Sequence, residues 1–257
     1  MVISIDTLLA WVGMFVWPFV RISAMLLVAP IFGARTVNAR VRLSLGLLLA
    51  ILVAPLLPPF PAIDPLSMEG LVVALQQVLI GVMMGFVAQL VFAAVTLAGE
   101  SIALSMGLGF ASVIDPAGGV QVPMVSQYFV ILTTLLFLAF DAHLVLLQLM
   151  TLSFEVMPVG MQGLVAEDFW RIAGFGTTMF AGALLIALPA VASLLLVNLA
   201  MGVVTRAAPQ LNIFAVGFPV TLLMGFVLIM LILPGLPARI GDLLTAAFLL
   251  IQRLLGV

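Results

Sequence analysis

The sequence contains no cysteine, and its 257 residues include a single histidine, His143. The lack of cysteine excludes disulfides, thiol catalysis and cysteine-based metal sites, and one histidine cannot supply the usual ligand shell of zinc. Charge is scarce as well, since charged residues make up only 7% of the chain against about 25% in soluble domains. With a net charge of -2 the chain has no basic face, so we expect no nucleic-acid partner.

Signatures of enzymes are missing too. The sequence has no H-E-x-x-H, no G-x-S-x-G and no phosphate-binding G-x-x-x-x-G-K-[ST]. Glu100 is a single acid, for which a helix-start position or an interhelical hydrogen bond is the simplest role. Asp141 and His143 are two residues apart, so on a continuous helix they project to different sides, and we assign them a structural or helix-end role. We therefore predict no enzyme activity, no catalytic or metal site and no cofactor.

Apolar residues dominate what is present. They make up 65% of the chain, and several stretches reach the roughly 20 residues that a helix needs to cross a bilayer. The prolines inside these stretches predict kinked and broken helices. The sequence thus predicts an all-α, multi-helix integral membrane protein. The expected segments lie near 7–31, 41–57, 71–98, 124–150, 172–204 and 211–233, with a shorter one near 240–256 that crosses the membrane or lies along its surface.

Loops separate these segments, and one of them carries the only cluster of positive charge. Arg35, Arg40 and Arg42 place that loop in the cytoplasm by the positive-inside rule. The first segment then starts outside, and it has no basic residue before Arg21, which is typical of a retained span and not of a signal peptide. Six crossings follow from this orientation. Further loops are predicted at 58–65, 155–168, 205–210 and 234–237.

The stretch GLGFASVIDPAGGVQVP, residues 107–123, is the most unusual loop. Its glycines and prolines rule out a continuous helix. Glycine lets the backbone change path, Phe110 gives the stretch an apolar body, and Asp115 directly before Pro116 favours a fixed turn. Taken alone, these residues favour a plain cytoplasmic connector. A different class of protein, a secondary transporter of small solutes, stays open, although the two halves show no convincing internal repeat.

Four blocks of the sequence carry a family resemblance that extends almost from end to end. They are FVWPFVRISAMLLVAPIFGARTVNARVRLSLGLLLAILVAP, QQVLIGVMMGF, AGESIALSMGLGFASVIDPAGG and LPAVASLLLVNLAMGVVTRAAPQLNIFAVGFPVTLLMG. This pattern resembles the FliR family of flagellar export-gate proteins. The SctT proteins of virulence-type secretion systems are related to that family, and they form the alternative assignment. The segment APQLNIFAVGFP looks more flagellar.

The resemblance implies a function. Proteins of this family join FliP and FliQ in a helical gate of the type III export apparatus, with FlhB attached and FlhA nearby. The gate passes unfolded flagellar subunits and belongs to the flagellar basal body in the bacterial inner membrane, in contact with lipid. The resemblance also implies two parts: a FliP-like part, residues 1–177, and a FliQ-like helical hairpin, residues 178–257. Finally, it implies that the assembled gate lies largely above the bilayer plane.

The resemblance also suggests roles for individual residues. The loop would project into the channel and close it as a plug, and the residues assigned to this role are Gly107, Gly109, Phe110, Val113, Ile114, Asp115, Pro116, Gly118 and Gly119. The bend of the FliQ-like hairpin would contact a neighbouring subunit. There Gln210 and Asn212 would pair with polar groups of that subunit, because buried amides need partners, while Arg206 would face water or a carboxylate.

Overall fold

A computed structural model describes residues 5–57, 63–65, 67–108, 112–114, 121–161, 163–208 and 213–257. For residues 5–12, 112–114, 121–122 and 213–215 it describes the backbone only. All further statements about the structure concern these residues.

Apart from loops, the described chain consists of helices and two strands of three residues each. The helices are α1 (Ile5–Val28), α2 (Ala39–Val53), α3 (Met68–Ser105), α4 (Met124–Ala139), α5 (Ala142–Val156), α6 (Ala166–Ala207), α7 (Ile213–Ile232) and α8 (Leu236–Leu255). Short 3₁₀ helices follow α2 and α7, at Ala54–Leu56 and Leu233–Gly235. The strands are β1 (Ser112–Ile114) and β2 (Gln121–Pro123). The predicted all-α, multi-helix architecture is confirmed.

Two predicted boundaries are wrong. The segment near 124–150 is not one helix, because α4 and α5 are separated at Asp141, whose φ of 54° is left-handed, and they are bent by 62°. The loop predicted at 234–237 is helical, since the 3₁₀ helix after α7 leads directly into α8. Pro234 and Pro237 lie in first-turn positions, where the missing N–H of proline has no partner to lose.

Four described helical stretches are long and apolar enough to cross a membrane, and the bent pair α4 and α5 can count as a fifth. The described apolar part of α1, Gly13–Val28, is shorter. The protein is therefore a multi-pass membrane protein, with fewer such stretches than the six crossings predicted. Burial differs strongly between them: 61% of the most apolar window of α3 is buried within the chain, but only 17% of the window Ala39–Leu56 and 22% of the window in Val216–Leu255. Among these four described stretches, only α3 is mostly enclosed by its own chain.

The chain divides into two compact units. Unit 1 comprises residues 1–90, 141–175 and 245–257, and unit 2 comprises residues 91–140 and 176–244. This is a division by spatial contacts, whereas the division between residues 177 and 178 is one by resemblance to other proteins. The latter stays a prediction.

In unit 1, α1 and α3 approach each other at two glycines. A Cβ on Gly85 would lie 2.6 Å from the carbonyl oxygen of Met25 and 2.9 Å from the backbone nitrogen of Ala29. A Cβ on Gly81 would lie 3.0 Å from the backbone nitrogen of Met25. The two glycines are spaced as G-x-x-x-G in GVMMG, a pattern that lets helix backbones pack closely in membranes. The sequence carried this signal, and our predictions did not use it.

In unit 2, α3 and α4 form an αα-hairpin. A Cβ on Gly99 would lie 2.5 Å from the Cα of Ser126, and the hydroxyl of Ser126 donates a 3.0 Å hydrogen bond to the carbonyl of Thr96. Further along the pair, the rings of Phe92 and Phe137 meet edge to face with centroids 5.7 Å apart. These contacts fix the end of α3 and the start of α4, the two helix ends that flank the predicted plug loop.

Candidate functional site

The loop that follows α3 begins with a defined helix stop. The N–H of Leu108 donates to the carbonyl of Ala103 at 2.9 Å, and the N–H of Gly107 donates to the carbonyl of Leu104 at 3.1 Å. Gly107 has a left-handed φ of +79°. This pair of hydrogen bonds with a left-handed glycine is a Schellman motif, which satisfies carbonyls that a helix end would otherwise leave free. The prediction that the stretch from Gly107 is not a continuous helix is confirmed for its described residues.

Helix α7 holds the base of this loop. The side chain of Met106, which is fully buried, lies over Gly225, where a Cβ would be 2.5 Å from both its Cγ and its Cε. One residue later, a Cβ on Gly107 would lie 3.3 Å from Cε2 of Phe218. Phe218 and Gly225 are two helical turns apart, so they lie on the same face of α7. We call these two residues the seat.

Beyond the seat, the chain forms an antiparallel ribbon that we did not predict. The ribbon consists of β1 and β2, with Ser112 opposite Pro123, Val113 opposite Val122 and Ile114 opposite Gln121. Its sequence signal was present, since β-branched residues flank a turn-forming PAGG. Val113 and Ile114 lie in β1, but their side chains are outside the described residues, and so are Gly109, Phe110, Asp115, Pro116, Gly118 and Gly119.

The predicted bend of the FliQ-like hairpin is described in part. Arg206 lies exposed in the last turn of α6, a position where a cation interacts favourably with the helix dipole. Gln210 and Asn212 are outside the described residues. Their contact with a neighbouring subunit stays a prediction.

Arg21 forms a buried polar cluster in unit 1 that our reading of the sequence missed. Its side chain is fully buried in α1. Nε donates to Oε1 of Gln77 at 2.8 Å, Nη1 donates to the carbonyl of Ser153 at 2.8 Å and to its hydroxyl at 3.0 Å, and Nη2 donates to the carbonyl of Met157 at 2.9 Å. The signal was a lone arginine in the apolar run VWPFVRISAMLLV.

The cluster ties together three helices. Gln77 lies in α3, and Ser153 and Met157 lie at the end of α5, so α1 supplies a donor for the last carbonyls of α5. The guanidinium also lies 4.2 Å from the ring centroid of Phe154, within the range of a cation–π contact. These partners are all neutral, and together they hold α1 against α3 and α5.

Comparison with known proteins assigns the chain to a family. A family model described as "Bacterial export proteins, family 1" matches residues 12–247. The chain belongs to this family. It is 42% identical to the flagellar biosynthetic protein FliR of Pectobacterium carotovorum subsp. carotovorum, over 95% of this chain and 94% of that protein. It is 40% identical to FliR of Escherichia coli (strain K12), over 88% and 86% of the two chains, and 34% identical to FliR of Bacillus subtilis (strain 168), over 84% of each.

Three further polar residues that the sequence singled out lie in helices or at their ends. Asp141 is the N-cap residue of α5, and its carbonyl accepts from the N–H groups of Leu144 and Val145 at 2.8 and 3.1 Å. His143 follows in the first turn of α5. Glu100 lies near the end of α3, so the helix-start role suggested for it is wrong. Among the described residues, no group of three or more His, Cys, Asp or Glu could hold a metal ion.

The arginine cluster at 35–42 has two different roles. Arg42 is half-buried, and it donates from Nε to the carbonyl of Phe32 at 2.9 Å and from Nη2 to the carbonyl of Ala34 at 2.9 Å. It therefore fixes the loop between α1 and α2. Arg35 and Arg40 are exposed. Only these two can be changed to test orientation without disturbing the loop.

We expect the double variant Arg35→Gln, Arg40→Gln to insert α1 and α2 in mixed orientation, because two of the three charges that hold the loop in the cytoplasm are lost. The measurement is the location of a reporter inserted at residues 36–39. Arg239→Gln, which removes an exposed arginine elsewhere, is the matched control and should leave the reporter cytoplasmic. A reporter that remains wholly cytoplasmic in the double variant contradicts the predicted topology.

Proposed function

We propose that the chain is a non-enzymatic subunit of the flagellar type III export gate in the bacterial inner membrane. In this proposal it forms, with FliP-type and FliQ-type subunits, the channel through which unfolded flagellar subunits pass, and it lies next to FlhB and near FlhA. The observation that carries the proposal is the match of residues 12–247 to a bacterial export family, whose curated relatives are named flagellar biosynthetic proteins.

Exposed apolar surface supports membership of a larger assembly. The second half of α6 presents a row of large apolar side chains that the described chain does not cover, with Leu196 and Leu199 exposed by 69% and 68%. The same holds for much of α7, where Leu223, Met230 and Leu231 are exposed. Surfaces of this kind need lipid or protein around them. In our proposal α7, α8 and the part of α6 after residue 177 form the FliQ-like hairpin, residues 178–257, and similar hairpins of neighbouring subunits pack beside it.

The ribbon and the residues around it form the plug in this proposal. A helix-free segment is tolerated at membrane depth only where its backbone polar groups find partners or line a wet cavity. In the ribbon β1 and β2 supply such partners to each other. A paired ribbon can therefore enter a channel, and its rigid base on α3, α4 and the seat can hold it there. Arg206, Gln210 and Asn212 form the proposed subunit contact at the bend.

We expect deletion of Gly109–Gly118 to leave assembly intact and to make the membrane leaky. The deletion removes β1, while the remaining residues still connect α3 to α4, and a change in loop length by itself has a small free-energy cost. The measurements are ion permeability of cells that express the whole gate and co-purification of FliP-type and FliQ-type subunits in mild detergent. A matched control replaces the same ten-residue segment with glycine and serine, which keeps its length but removes its apolar body.

An assembled deletion variant with a tight membrane would show that the loop is only a connector. Purification of the chain without export subunits, together with transport of a small solute by the chain alone in liposomes, would favour the secondary transporter instead. The first outcome tests the plug and the second tests membership of the export gate. They can be told apart because assembly and ion leak are measured separately.

A further inference from the structure

A cavity of about 600 Å³ lies in unit 1, where a residue near the start of α6 meets the end of α8. Its lining consists of Arg171, Leu250, Arg253, Gly256 and Val257. Cavities that hold small molecules in proteins usually have volumes of about 300 to 1,000 Å³. Two of the eight basic residues of the chain line this one cavity. The cavity therefore concentrates positive charge in a chain that has little charge elsewhere.

Both guanidinium groups can bind an added anion. Arg171 is 50% exposed, and its one ion pair among the described residues is with Asp168, 3.5 Å from Nη1 to Oδ1. The other oxygen of Asp168 accepts from the N–H of Val165 at 3.0 Å, so this carboxylate also belongs to the start of α6. The exposed side chain of Arg253 forms no ion pair or hydrogen bond with any residue that the structure describes. The carboxylate of Val257 pairs with neither arginine.

Neighbouring residues place the cavity at the depth of lipid headgroups. Phe169 and Trp170, directly before Arg171, are exposed by 47% and 75%. Tryptophan is enriched where a membrane protein meets the boundary between lipid and water. The two residues follow the acidic first turn of α6 and precede its long apolar part. Arg253 has the corresponding position on the other helix, in the last turn of α8. Both arginines therefore stand where an apolar helix ends.

We propose that this cavity binds the phosphate group of an anionic phospholipid. Arginine suits this ligand because its planar guanidinium can donate two parallel hydrogen bonds to phosphate oxygens. Leu250 and Val257 offer apolar surface to the glycerol and to the first methylene groups of the acyl chains. Inorganic phosphate has the same chemistry but needs neither an apolar wall nor a position beside Trp170. The location thus favours the lipid.

The test compares the unchanged chain with the double variant Arg171→Gln, Arg253→Gln. Each is reconstituted into vesicles of phosphatidylcholine with a minor fraction of phosphatidylglycerol and extracted in mild detergent, and the retained lipid is measured by mass spectrometry. We expect the unchanged chain to be enriched in phosphatidylglycerol, and the double variant to retain about tenfold less, because each arginine near the lipid surface attracts the anionic headgroup. Arg239→Gln removes an exposed arginine of α8 that does not line the cavity, and this matched control should retain the lipid.

Trp170 gives a second readout that leaves both arginines in place. Its fluorescence is measured in vesicles that contain phosphatidylglycerol or phosphatidylcholine brominated in the upper part of the acyl chains. Subtraction of the signal of Trp170→Phe removes the contribution of the other two tryptophans. We expect brominated phosphatidylglycerol to quench Trp170 at least about twofold more strongly than brominated phosphatidylcholine at the same fraction, and the difference to vanish in the double variant.

Equal retention of phosphatidylglycerol by the unchanged chain and the double variant would overturn the proposal. So would inorganic phosphate that raises the thermal midpoint of the lipid-free chain while phosphatidylglycerol is not retained, since the ligand would then be the free anion. If the double variant does not fold, the two brominated lipids decide on the unchanged chain: stronger quenching by phosphatidylglycerol supports the site, and equal quenching contradicts it. Neither readout involves export, so the result is independent of the proposed function.

Discussion

Replacement of Arg21 with methionine should abolish recovery of the assembled gate while insertion of the chain into the membrane stays equal or improves. Insertion and recovery of the gate respond differently because insertion depends on the cost of placing a charge in the bilayer, whereas recovery depends on the contacts of the folded chain. During insertion, α1 no longer carries a charge, whose cost at a helix centre is about 2.5 to 3.5 kcal/mol on insertion scales. In the folded chain, the carbonyls of Ser153 and Met157 and the amide of Gln77 lose their donor.

The loss in the folded state is large because the acceptors are buried together. Each acceptor left without a partner costs about 1 to 3 kcal/mol, and the contact of the guanidinium with the ring of Phe154 is lost as well. The acceptors belong to α3 and to the end of α5, so neither helix can replace the donor by a local movement. We therefore expect unit 1 to lose its packing around α1, since three such acceptors together cost about 3 to 9 kcal/mol, a large part of the roughly 5 to 15 kcal/mol by which a domain is stable.

Membrane-inserted protein and intact complex should be measured from the same cells. Arg21→Lys keeps the charge but lacks the planar, five-donor fork, so it should recover only a small part of the complex. Arg239→Met removes an exposed arginine and is the matched control, which should behave as the unchanged protein. If Arg21→Met yields intact complex in normal amount, the buried cluster does not hold the helices together.

Substitution of Gly85 with leucine should separate α1 from α3 and lower the thermal midpoint of the complex. The new side chain would meet the carbonyl of Met25 and the backbone of Ala29, and neither atom can turn aside as a side chain can. Overpacking of this kind costs about 1 to 3 kcal/mol per site, and a clash with backbone belongs at the upper end. Gly81→Leu should act in the same direction, because its Cβ meets α1 one turn earlier.

The control for this pair is Gly174→Leu, whose new side chain would extend from α6 where a Cβ meets nothing within 4 Å, outside the proposed hairpin surface. Leucine is a better helix former than glycine by about 0.8 kcal/mol, so this control should be neutral or slightly stabilising. Thermal aggregation of the purified complex gives the midpoint. Equal midpoints for Gly85→Leu and Gly174→Leu would mean that the close approach of α1 and α3 contributes nothing to stability.

The helices could be predicted from the sequence because a helix that crosses a bilayer needs about 20 mostly apolar residues. The length of such a run can be read directly from the sequence. The break before α5 could not be predicted in the same way. Asp141 adopts a left-handed conformation without glycine or proline beside it, so the aspartate was the one local marker, and a helix end was only one of the two roles that we assigned to it. The segment PGLP caused the opposite error, a loop predicted where the chain is helical. Proline in a first turn can begin a helix as readily as it can end one.

The position of the candidate site in the chain could be predicted from the sequence, but the contacts that form it could not. The glycines of the loop from Gly107 predicted a non-helical segment, and a left-handed glycine with a Schellman motif stands at its start. The contact of Met106 with Gly225 could not be predicted, because the two residues are far apart in the chain and their contact depends on how α3 and α7 pack. Arg21 could have been singled out as a buried charge, but its partners in α3 and α5 are neutral and leave no pattern of charge.

The length of α3 has a consequence for where the protein stands in the membrane. Its 38 residues span about 57 Å at 1.5 Å per residue, whereas the hydrocarbon layer is about 30 Å thick. To fit inside that layer a straight helix would have to tilt by about 60°, far beyond the usual range of 0 to 40°. We therefore expect about half of α3 to lie outside the hydrocarbon layer. Its first turns carry the exposed apolar side chains of Met68, Leu71 and Leu75, and we expect other protein chains to cover them where α3 leaves the lipid.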